Sequence, residues 1–134
     1  PGRRRAGELG RGALAMIRLE PLRPGSQLAR VYDEADPAPM APFVATFVTE
    51  WDENDPRALW IKGLNGRMPR RCLRELLTLL VDLGVYTVLA KRADGHVLPA
   101  GVEGEDGIIR ISVAQLVERF ARPGASDWVE LAGP

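Results

Sequence analysis

The stretch Ala58–Lys91, ALWIKGL-NGRMPRR-CLRELLTLLVDLG-VYTVLAK, decides the fold. Its first seven residues mix apolar, aromatic and β-branched side chains, as a strand does. Asn65–Arg71 brings Gly66, Pro69 and three arginines together and reads as a basic turn. From there leucines recur at 73, 76, 77, 80 and 83, which is the 3.6-residue period of a helix with one buried stripe. Arg71, Glu75, Thr78 and Asp82 take the opposite face. Pro69 falls at the first helical turn, where its missing N–H costs nothing, and Gly84 falls where a helix stops. Val85–Lys91 is again strand-like. The segment is therefore a βαβ unit, and a helical crossover predicts that its two strands lie parallel.

Outward from this unit the elements are shorter. Toward the N-terminus, Phe43–Trp51 alternates Phe43, Ala45, Phe47, Thr49 and Trp51 against Val44, Thr46, Val48 and Glu50, which predicts a strand. Asp33–Pro42 holds three prolines and reads as a loop. Met16–Leu22 reads as a first strand ended at Arg23–Gly25, and Ser26 is placed to cap a short helix through Tyr32. Toward the C-terminus, His96–Gly107 reads mostly as loop and Ile108–Ser112 as a strand. Ser112 with Gln115 forms a capping box for a helix over Val113–Phe120. Pro123–Gly124 ends that helix, and Trp128–Leu131 reads as a last short strand. The expectation is one α/β (α+β) domain over 16–134 with a mixed, partly antiparallel sheet around the central βαβ unit.

Composition limits the function classes. The chain has 134 residues with 18 basic and 18 acidic side chains, so no global field recruits nucleic acid. The charge is uneven: Arg3, Arg4, Arg5 and Arg11 against Glu8 give residues 1–15 a net of +3, leaving −3 on the rest. Residues 1–15 read as a basic arm without a regular period, suited to contacts with an assembling protein subunit. One cysteine (Cys72) and one histidine (His96) allow neither a disulfide within the chain nor a Cys- or His-pair metal motif. No apolar run reaches the roughly 20 residues that span a bilayer, and the arginines precede no apolar run of signal-peptide length. A cytoplasmic chain with no membrane or nucleic-acid partner is the expectation.

Few residues carry a chemical argument. A helix N-terminus beside arginines holds anions through its amides and partial positive charge. This makes Asn65, Gly66, Arg67, Arg70 and Arg71 the candidate binding residues for a pyrophosphate. The stretch fits neither the P-loop spacing nor G-x-G-x-x-G. Glu50, Asp52 or Glu53 would serve as a general base after the Phe43–Trp51 strand, and Tyr86 as a general acid; a polar turn and a packed tyrosine are the plain alternative. His96 has no serine or cysteine motif beside it. Cys72 falls among leucines and reads as a buried structural thiol. Trp51, Trp60 and Trp128 are the large anchors, with Trp128 the candidate for docking on a partner.

Strand, basic turn, long amphipathic helix and parallel strand after an antiparallel meander resemble the acetyl-CoA-binding core of GCN5-related N-acetyltransferases. That family holds the coenzyme pyrophosphate on a turn of pattern R/Q-x-x-G-x-G/A. Here Arg67-Met68-Pro69-Arg70-Arg71-Cys72 occupies the place. Arg67 matches, whereas Arg70 and Cys72 stand where the family has small residues. The chain thus resembles the degenerate acetyltransferase-like proteins of tailed bacteriophages, some of them virion components. The resemblance implies an acyl-CoA N-acyltransferase-like fold. With it comes a non-catalytic structural or assembly role without a cofactor, in a virion built in the host cytoplasm. Arg3, Arg4, Arg5 and Trp128 would then touch neighbouring protein subunits. The alternative is an active acyl-CoA-dependent N-acetyltransferase with acetyl-CoA as its cofactor.

Overall fold

A computed structural model of the chain describes residues 16–91, 101–120 and the backbone of 128–130. Four strands form an antiparallel meander: β1 (Ile17–Arg23), β2 (Ser26–Val31), β3 (Ala45–Trp51) and β4 (Ala58–Pro69). Helix α1 (Arg70–Asp82) then leads to β5 (Thr87–Lys91), which runs parallel to β4 as the crossover predicts. β6 (Gly101–Glu103) and β7 (Ile108–Ser112) follow, then α2 (Val113–Phe120) and β8 (Trp128–Glu130). The sheet order is β1-β2-β3-β4-β5-β7-β6, with β8 pairing off this path onto β4. This is a single α+β domain with a mixed sheet.

The helical stripe behaves as its period requires. Cys72, Leu73, Leu76, Leu77, Leu79 and Leu80 are buried, and they meet Phe47, Leu59, Val88, Ile111, Leu116 and Phe120 in one core. Leu83 is half-buried at the helix end. Gly84 follows with φ 78°, its amide on Val81 O and the Val85 amide on Leu80 O. This pair of bonds closes the helix in the geometry that favours glycine. The Ser112 hydroxyl accepts the Gln115 amide at 3.3 Å, which is the Ser112 half of the expected capping box of α2.

The opposite sheet face carries charge. Glu20 pairs with Arg30 at 2.9 Å, and Glu50 takes Lys62 at 2.9 Å together with Arg23. Such exposed pairs add little stability singly, but they make a broad sheet face compatible with water.

Three sequence expectations change. Ser26–Val31 is a strand and not a helix: Gln27, Ala29 and Val31 are buried while Leu28 and Arg30 are half-buried, a period of two. Pro24–Gly25 turns the β1–β2 hairpin, with Gly25 at φ 84°. Asn65–Pro69 is likewise not a turn, because β4 continues through all five residues. Gly63 and Gly66 mark irregularities inside the strand. The register against β3 slips between Thr46 and Val48, opposite Gly63 at φ 62°. Gly66, at φ 95°, lies so close to Val44 that an added Cβ would stand 2.2 Å from the Val44 carbonyl oxygen. Finally, Gly101–Glu103 of the expected loop is a strand against β7.

A candidate functional site at the fork of strand β4

β4 has two partners along one edge. It pairs with β5 over Ala58, Leu59 and Trp60, and the two strands then part. Farther on, Arg67, Met68 and Pro69 pair antiparallel with Glu130, Val129 and Trp128 of β8. The Arg67 amide donates to Val44 O at 3.2 Å, so it points toward the β3 side. Backbone groups alternate sides along a strand, hence Met68 is the residue facing β8. β8 therefore sits on the β5 side of β4, at the far end of the fork that β5 opens. Pro69, which lacks an N–H, falls at a position where this ladder asks for none.

The five candidate anion-binding residues are spread along this edge and into the helix. Asn65 pairs with Thr46 and is exposed, and Gly66 is pressed against Val44. Arg67 is exposed beside β8. Arg70 turns back over the Phe120 ring, 5.1 Å from its centroid, and links α1 to α2. Arg71 donates to Asp33 O at 2.8 Å and holds the long loop after β2. Arg70 and Arg71 thus hold the protein's own chain. Helix α1 starts at Pro69 with no side-chain cap.

The candidate acid–base residues do not converge. Glu50 is held below the usual carboxylate range, first by the Lys62 hydrogen bond and then by Arg23, against the opposing cost of its burial. Asp52 is lowered by the Trp60 indole and by the Asn54 and Asp55 amides. Carboxylates stabilised in their charged form are weak proton acceptors at neutral pH. Glu53 is exposed. Tyr86 is 63% exposed, under the Arg57 guanidinium at 4.9 Å. Cys72 is fully buried, and burial with the nearby Glu75 carboxylate pushes its thiol up to about 11. It is a structural thiol, donating to Tyr32 O at 3.5 Å.

Trp51 and Trp60 are half-buried; Trp128 enters β8 opposite Pro69. Arg3, Arg4, Arg5 and His96 lie outside the described residues. Among the described residues no helix is long and apolar enough to cross a membrane.

Two features escape sequence reading. One is β8 on the edge of β4. The other is a cavity of about 70 Å³ that β3, β4, β5, β7, α1 and α2 wall with apolar side chains among the described residues. Both arise from contacts distant in sequence. Comparison with family models, with curated proteins and with solved structures returns no match.

Proposed function

We propose that this chain is a non-catalytic structural or assembly protein, a virion component of a bacteriophage built in the host cytoplasm. It would use an acyl-CoA N-acyltransferase-like scaffold without its cofactor. The basic arm with Arg3, Arg4 and Arg5, and the C-terminal segment around Trp128, would make the contacts with neighbouring protein subunits. The observation that carries this reading is the occupation of the anion-binding turn by the protein itself. β4 runs as a strand through Pro69, β8 lies along its fork-side edge, and Arg70 and Arg71 are engaged with Phe120 and Asp33. A coenzyme pyrophosphate at that place would meet β8 along the strand and two arginines already turned to other contacts. The engagement of Glu50 with Lys62 and Arg23, and of Asp52 with the Trp60 indole, supports the same reading, since an acyltransferase needs a base to deprotonate its amine.

The order of strand, helix and parallel strand favours the second reading, an acyl-CoA-dependent N-acetyltransferase. On that reading Asn65, Gly66, Arg67, Arg70 and Arg71 hold acetyl-CoA, with Glu50 or Tyr86 moving the proton.

Sedimentation velocity of the full chain and of its Arg3→Glu/Arg4→Glu/Arg5→Glu variant tests the assembly role. The wild type is expected to sediment as an assembly and the variant as a monomer. A wild type that stays monomeric up to its solubility limit overturns the subunit-contact reading.

A further inference from the structure

We propose that the apolar tip of the loop between β2 and β3 receives the basic N-terminal arm of a neighbouring copy of this chain. The inference rests on the assembly reading and names the surface that the arm meets. Residues 38–43, APMAPF, carry no polar side chain. All but Ala41 are exposed, Met40 at 92% and Phe43 at 52%. A water-facing surface avoids an apolar run of this length unless the run binds something.

The tip is also held in shape, so binding costs it little order. The Ala41 amide donates to Ala38 O at 3.0 Å and closes a turn over Pro39 and Met40. Arg71 donates to Asp33 O at the start of the loop, Arg18 to Pro37 O in its middle, and the Val44 amide to Val31 O at its end. Charge selects the occupant. Asp33, Glu34 and Asp36 are exposed just before the tip, and among the described residues none of them forms an ion pair. Residues 1–15 carry the opposite sign, with Arg3, Arg4, Arg5 and Arg11 against Glu8, and include Leu9 and Leu14. The loop joins acidic to apolar residues, and the arm joins basic to apolar ones. The same carboxylates turn the tip away from an anionic membrane.

Sedimentation velocity of the full chain tests the contact. Met40→Ser/Phe43→Ser removes the apolar tip and Asp33→Lys/Glu34→Lys reverses its flank; each is expected to weaken assembly by about tenfold or more. Asp36 stays in place, because its φ of 49° suits an aspartate. Joining Asp33→Lys/Glu34→Lys to Arg3→Glu/Arg4→Glu in one chain is expected to restore assembly. The substituted loop side chains are exposed, so these variants keep the fold. Loop variants that assemble like the wild type, or a combined variant that does not recover, overturn the proposal and leave the assembly reading standing. A wild type that stays monomeric overturns both.

Discussion

The Trp60 indole donates its Nε1–H to Asp52 Oδ1 at 2.9 Å, across the turn between β3 and β4. The other oxygen of the same carboxylate accepts the Asn54 amide at 3.0 Å and the Asp55 amide at 2.9 Å. A residue suited by its position to act as a base thus shapes the β3–β4 connection. Three donors hold its charged form, which lowers its pKa from the ordinary 3.8.

Asp52→Asn keeps the shape and removes the charge, and is expected to cost about 1–3 kcal/mol at pH 7. A folded pKa below the unfolded one gives stability that is full above the unfolded value and lost as pH falls through the folded one. The difference between wild type and variant is therefore expected to narrow below pH about 4. Urea denaturation at pH 7 and at pH 2.5 checks this.

Gly63 and Gly66 both have positive φ, yet they differ in surroundings. A Cβ on Gly63 meets nothing within 4 Å, whereas one on Gly66 meets Val44 O at 2.2 Å and Ala45 Cα at 2.9 Å. Gly63→Ala is expected to cost about 1–2 kcal/mol of backbone strain. Gly66→Ala is expected to cost more than ~3 kcal/mol, or the fold itself. Thermal denaturation of the two variants separates the effects.

Cys72 gives a different pH signature. Its thiol, pushed up to about 11 by burial, stays protonated through neutral pH. At pH 8 its labelling by a thiol reagent is expected to be at least about a hundredfold slower in the native chain than in urea. A raised folded pKa contributes stability below the unfolded value near 8.5, and that contribution is lost between there and 11. Wild type is thus expected to lose stability over this window more steeply than Cys72→Ala.

Arg70 makes a packing contact, so Arg70→Ala is expected to lower stability by about 0.5–1 kcal/mol through the lost Phe120 contact. An arginine serving only a coenzyme would leave the stability of the free protein unchanged. Urea denaturation without ligand distinguishes these outcomes.

The leucine stripe from Leu73 to Leu80, the Gly84 stop and the Ser112–Gln115 cap were legible because each is a local rule with one outcome. Gly66 and Pro69 misled because the same residues that make turns also permit a close strand approach and an unpaired edge position. The alternation of Gln27, Ala29 and Val31 was short enough for Ser26 to suggest a helix cap. The fork, the cavity and the seat of β8 join residues far apart in the chain. No local pattern announces such contacts.

Thermal denaturation with and without millimolar acetyl-CoA, on the wild type and on Arg67→Ala, tests the non-catalytic reading most directly. A ligand held only by the native state raises its melting temperature. No change is expected in either protein. A rise of several degrees in the wild type that disappears in Arg67→Ala would contradict it.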